Sequence, residues 1–94
     1  MTTPLDDDGR SRFRGEHPDW TLHGETAART FAFGDFAEAM GFVTRVGLAA
    51  EKADHHPDVD VRWNRVTLTI STHSAEAFTN PDVALIETID GWVG

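Results

Sequence analysis

Between Val66 and His73 the chain alternates with a period of two. Val66, Leu68 and Ile70 fall on one side; Thr67, Thr69, Ser71 and His73 fall on the other. That pattern is a β-strand buried on one face and wet on the other. Such a strand needs sheet neighbours and an apolar layer over its buried face. Just upstream, Val59 and Val61 alternate in the same way, and Trp63-Asn64-Arg65 makes a short connection, so the stretch VDVRWNRVTLTISTH reads as a hairpin. A second strand pair is expected in DWTLHGETAARTFAF, with one strand around Trp20 and Leu22, a turn near HGET, and one strand through Phe31 and Phe33.

Two segments switch to helical periodicity. In GDFAEAMGFVTRVGLAAEKA, Asp35 is suited to cap a helix, with Glu38 three residues on. Phe36, Ala39, Met40, Val43, Val46, Gly47 and Ala50 form one apolar stripe, and Gly47 on that stripe suggests close backbone packing. The helix is expected to end near Lys52, because Pro57 blocks continuation. TNPDVALIETID is a second helix, capped by Thr79, buried through Val83, Ile86 and Ile89, and ended by Gly91. The order strand, strand, helix, strand, strand, helix predicts an α+β fold: a four-stranded antiparallel sheet with two to three helices on one face.

The length of 94 residues fits one domain with a modest core, which makes self-association a reasonable expectation. Residues 1–18 contain Pro4, Gly9, Gly15 and Pro18 without apolar periodicity and read as irregular, leaving 19–94 as the folded domain. Asp6, Asp7 and Asp8 followed by Arg10, Arg12 and Arg14 read as a solvated, mixed-charge tail. A net charge of −8 disfavours nucleic acid and anionic membrane as partners. No apolar run is long enough to span a bilayer, and the N-terminus lacks a signal peptide's apolar stretch. With no cysteine, a cytoplasmic location is the default expectation.

Three of the five histidines gather around the 59–73 hairpin: His55 and His56 before it, His73 at its end. Adjacent side chains diverge, so His55 and His56 are poorly placed to share a metal ion. Surface histidines at a helix end are the plain alternative. Yet helix ends and strand ends can converge on one rim of a small domain. Glu51, four residues before His55, is placed to orient that ring, and Asp82 opens the last helix nearby. Grouped imidazoles suit general acid and general base work. Trp20 and Trp63 offer faces on which a flat ring could stack, although tryptophan is more often plain core.

The series E-x₃-H-H-P in EKADHHP, an aromatic at Trp63, then His73 and Asp82, resembles the motif of the pterin-4a-carbinolamine dehydratases, also known as dimerisation cofactors of a homeodomain transcription factor. The resemblance runs from about Trp20 to Asp90 in colinear order. It implies a four-stranded antiparallel sheet with helices on one face, assembled as a homodimer or homotetramer. It implies dehydration of 4a-hydroxytetrahydropterin to quinonoid dihydropterin in tetrahydrobiopterin recycling, without metal or cofactor. On this resemblance His55 and His73 form the acid–base pair and His56 mainly helps to bind the pterin, while Glu51, Trp20, Asp82 and Trp63 line or support the pocket. Two positions depart from the pattern: Pro81 stands where arginine is common, and Val59 where tryptophan is common. Relatives of this family also serve as coactivators or assembly factors. The alternative expectation is therefore a non-catalytic binding module that meets a protein partner through helix 35–51.

Overall fold

A computed structural model describes residues 3–93. The chain runs α1 (Asp7–Glu16), β1 (Thr21–His23), β2 (Thr26–Ala32), α2 (Phe36–Ala53), β3 (Asp58–Arg62), β4 (Arg65–Ile70), a single 3-10 turn (His73–Ala75) and α3 (Asn80–Val93). The four strands form one sheet in the order β1-β2-β4-β3, and every pairing is antiparallel. The alternation read from the sequence sets the faces. Leu22, Ala27, Phe31, Val66, Leu68 and Ile70 are buried in one core with Phe13, Ala39, Phe42, Val46, Leu85, Ile86 and Ile89 from the helices. On the open face Thr30 and Thr67 share a cross-strand hydroxyl contact of 2.8 Å. Trp20 and Phe33, expected within strands, lie just before β1 and just after β2.

The segment expected to be irregular is helical. In α1, Asp6 caps the first turn by accepting from the Gly9 N–H at 2.8 Å. Asp7 and Asp8 lie at the positive end of the helix dipole and Arg14 at the negative end. The charge order that resembles a solvated tail is therefore the order a helix favours. Phe13 is the one buried residue of α1, and it packs edge-on to Phe78 at 4.9 Å between ring centroids. A single apolar anchor produces no periodicity, which is why the helix escapes a search for stripes. Leu5 ties the preceding segment to the body by donating its N–H to the Phe78 carbonyl at 3.0 Å.

In α2 the cap forms as expected, with Asp35 accepting from the Glu38 N–H at 2.8 Å. The buried stripe is Ala39, Phe42, Val46 and Ala50. Phe36 and Met40, expected on it, are exposed. Gly47 is also exposed, and a Cβ there would meet nothing within 4 Å, so close packing does not explain this glycine. α3 continues past Gly91 to Val93. Trp92 accounts for the extra turn: its ring packs on Phe42 at 6.4 Å and under the Arg45 guanidinium at 4.2 Å. No helix among the described residues is long and apolar enough to cross a membrane.

If α1 is part of the cooperative unit, Phe13→Ala should lower the unfolding free energy by about 3 kcal/mol. Urea denaturation measures this, and an unchanged midpoint would mean that α1 does not dock.

Candidate active site

The end of α2 determines where the first histidines go. Asp54 adopts a left-handed conformation at φ 51°. Its N–H donates to the Glu51 carbonyl at 3.2 Å, and the His55 N–H donates to the Ala50 carbonyl at 3.0 Å. These two bonds make a Schellman motif, which satisfies the last carbonyls and reverses the chain. His55 therefore leaves helical phase, and its side chain is 14% exposed, whereas that of His56 is 54% exposed. Pro57 follows, and β3 begins at Asp58.

The pairing of Asp58 with Thr69 brings the start of β3 beside the end of β4. His55 and His56 precede β3 and His73 follows β4, so the three histidines share one end of this strand pair. β4 stops at Ile70, and His73 opens the 3-10 turn rather than closing the strand. Its side chain is exposed and, among the described residues, is the one of the three without a carboxylate partner.

Asp82, in the first turn of α3, is completely buried. Its Oδ2 accepts from the Thr79 backbone N–H at 2.7 Å and from the Thr72 hydroxyl at 2.8 Å. Its Oδ1 faces His55 Nε2 in a short hydrogen bond. A buried carboxylate is tolerable when its lone pairs are filled, and these are. Glu51, expected to orient His55, bonds His56 Nε2 instead. The Schellman turn explains the exchange, because it carries His55 off the helix face on which Glu51 lies. Each of the two histidines is thus held through Nε2 by its own carboxylate, leaving Nδ1 for other work. Among the described residues no group of three or more histidines and carboxylates is arranged to hold a metal ion.

A cavity of about 510 Å³ opens beside His55, between the end of α2 and the start of α3. Ala49, Ala53, Pro81 and Leu85 supply apolar walls, with Lys52 at the rim. Glu51, Asp82 and the three histidines therefore occupy one region.

Neither tryptophan of the expected set belongs to it. Trp63 sits in the turn at the opposite end of the β3–β4 pair, roughly 15 Å along the strands. Trp20 is core: it is 4% exposed, stands edge-on to Phe31, and donates its indole N–H to Asp90 Oδ1 at 2.9 Å. Asp90 is the centre of a second polar cluster that the sequence does not announce. It also accepts from His17 Nδ1 at 2.7 Å and from the Arg29 guanidinium at 2.9 Å. The cluster ties together the end of α1, the approach to β1, strand β2 and helix α3. Another cavity of about 510 Å³ lies against it, lined by Glu16, Asp19 and Glu87 among others. Each cavity carries a carboxylate-held imidazole, His17 in one and His55 in the other, and the mostly apolar walls make the His55 cavity the better candidate for a planar ligand.

The fold and this site define a small α+β protein in which a carboxylate-held imidazole lines a cavity. Residues 3–92 match the family model described as pterin 4 alpha carbinolamine dehydratase, and the chain belongs to that family. A relative in Rhodospirillum rubrum, provisionally named a pterin-4-alpha-carbinolamine dehydratase, is 46% identical over the whole of both chains. One in Nocardia farcinica with the same provisional name is 45% identical over 96% of each chain. The crystal structure of a transcriptional coactivator/pterin dehydratase from Brucella melitensis superposes with a TM-score of 0.91. It is 31% identical, and the match covers 98% of this chain and 100% of that one. A pterin dehydratase-like protein identified as a RuBisCO assembly factor in the alpha-carboxysome shares the fold at a TM-score of 0.69, with 21% identity over 83% of this chain and 93% of that one.

The two kinds of ion pair differ in burial, and stability should follow. Asp90→Ala removes the acceptor shared by His17, Trp20 and the largely buried Arg29 guanidinium, leaving Arg29 its exposed partner Asp19 at 3.6 Å, and should cost about 3 kcal/mol. Asp60→Ala breaks only an exposed pair with Arg62 and should cost less than about 1 kcal/mol. Urea titration of both variants checks the ranking, and equal losses would contradict it.

Proposed function

We propose that this protein dehydrates 4a-hydroxytetrahydropterin to quinonoid dihydropterin by histidine acid–base catalysis, as a step in recycling a tetrahydropterin cofactor. The observation that carries the reading is the bond from His55 to the wholly buried Asp82, at the edge of a cavity, with His73 at the same end of the β3–β4 pair. Family membership supports the substrate class.

The chemistry asks little more than two positioned proton carriers. One imidazolium donates a proton to the C4a hydroxyl, and the C–O bond breaks to release water. A ring-nitrogen lone pair drives the departure and forms the C=N bond. A neutral imidazole accepts the N–H proton that the ring nitrogen then loses, so the elements of water leave and no redox change occurs. His55 and His73 are assigned as the acid–base pair, and His56, held by Glu51, helps to bind the pterin. Asp82 fixes the His55 ring. Trp20 and Trp63 are not included among the pterin contacts, since one is committed to Asp90 and the other lies in the turn at the opposite end of the β3–β4 pair. The walls provided by Pro81 and Leu85 are apolar, and Lys52 is the cation among the lining residues.

We assign self-association to the outer face of α2. Phe36, Met40 and Leu48 are exposed there, Leu48 at 69%, and a small domain with such a face gains most by covering it with a second copy. The coactivator and assembly-factor descriptions of the two structural neighbours favour a second reading, in which the same face receives a protein partner. Met40→Glu should convert the assembly to monomer in size-exclusion chromatography with light scattering. A monomeric wild-type protein would remove the first assignment.

The dehydratase reading is tested by following quinonoid dihydropterin in stopped flow, with 4a-hydroxytetrahydropterin generated in place by a pterin-dependent hydroxylase. His55→Ala and His73→Ala should each reduce turnover by roughly a hundredfold or more while remaining folded. Wild-type turnover in both variants would refute the assigned roles, and no acceleration by folded wild-type protein would favour the binding module.

A further inference from the structure

The Asp82 carboxylate is held by more donors than its helix requires. As the third residue after Thr79, Asp82 caps α3 by accepting the Thr79 N–H, and that bond alone serves the helix end. The Thr72 hydroxyl is additional. It comes from outside α3, from the residue just before His73, and it is buried.

Counting protons orders this group. Thr72 and Thr79 hydroxyls are 2.5 Å apart, and each has one proton to give. Thr72 Oγ1 lies 2.8 Å from Asp82 Oδ2, whereas Thr79 Oγ1 lies 3.2 Å from it. The shorter contact takes the proton, so Thr72 donates to Asp82 and Thr79 donates to Thr72. The result is a directed chain: Thr79 O–H to Thr72, Thr72 O–H to Asp82 Oδ2, and His55 Nε2–H to Asp82 Oδ1. Each bond polarises the next in a buried setting. With Oδ2 occupied by Thr79 N–H and Thr72 O–H, the carboxylate cannot turn, and Oδ1 is reserved for His55.

We propose that Thr72 is a positioning residue for His55: through Asp82 it fixes the ring in its Nε2–H tautomer and keeps Nδ1 as the nitrogen that exchanges a proton with substrate. The kinetic half of this inference rests on the dehydratase reading, whereas the tautomer half does not. Thr72 also joins the two halves of the site, because the same residue that steadies Asp82 begins the turn carrying His73.

The test uses the full chain, with Thr72→Val to delete the hydroxyl at nearly constant shape and Thr72→Ser to restore it. Imidazole nitrogen–proton correlation spectra should show His55 as a single Nε2–H tautomer in the wild type and in Thr72→Ser. In Thr72→Val the spectrum should show a mixture of tautomers. Dehydration kcat should fall about tenfold in Thr72→Val with KM little changed, and recover in Thr72→Ser. Should Thr72→Val fail to fold, the wild type still decides: a slowly exchanging Thr72 hydroxyl proton is expected, and its absence overturns the chain. An unaltered His55 tautomer in folded Thr72→Val also overturns it. A tautomer change in a protein with no dehydration activity would uphold the positioning role and refute the reaction.

Discussion

One buried carboxylate organises the end of this molecule that carries His55, His56 and His73. Asp82 has no contact with solvent, so each of its lone pairs needs a donor from the protein. The donors come from three places in the chain: the α3 cap at Thr79, the segment after β4 at Thr72, and the segment after α2 at His55. Satisfying the carboxylate therefore pins the two histidine-bearing segments to the same helix end. An unmet donor requirement at that depth would cost several kilocalories per mole, which is why the arrangement is specific.

The hydrophobic layer makes this possible without taking part in it. β4, one of the two central strands, places Val66, Leu68 and Ile70 in the core and delivers Thr72 and His73 at its end. α2 packs across the same face and stops in a left-handed turn that directs His55 inward and His56 outward. The second cluster, at Asp90, performs the matching structural task elsewhere by joining α1, β2 and α3 through His17, Trp20 and Arg29. The two carboxylates thus divide the labour: the fully buried Asp82 holds the histidine that lines one cavity, and the partly exposed Asp90 closes the joint between elements beside another.

Much of this was legible in the residues. Period-two alternation placed β4 and its face, and the Asp35 cap placed the start of α2. The colinear series from EKADHHP to Asp82 pointed to the family. Other features depend on contacts that a pattern does not carry. α1 rests on Phe13 and on charge order, which look alike in a helix and in a tail. Spacing puts Phe36 and Met40 on the helix stripe, yet both are exposed, because spacing cannot tell a face covered by the sheet from an adjacent apolar face left open. Glu51 was expected on His55, yet a single left-handed residue at Asp54 shifts the partner by one. Trp20 and Trp63 share a residue type with ring-binding sites, and only the fold separates one into the core and the other to the far turn.

The central claim is that Asp82 holds His55 in the state that transfers protons, so Asp82→Asn bears on it most directly. The amide keeps an oxygen to accept from Thr79 and Thr72 but presents N–H to His55 where an acceptor is needed, so the fold should survive while the ring loses its tautomer. A single-turnover measurement of 4a-hydroxytetrahydropterin dehydration should show a loss of roughly a hundredfold or more in folded Asp82→Asn. A folded Asp82→Asn protein that dehydrates at the wild-type rate would contradict the account.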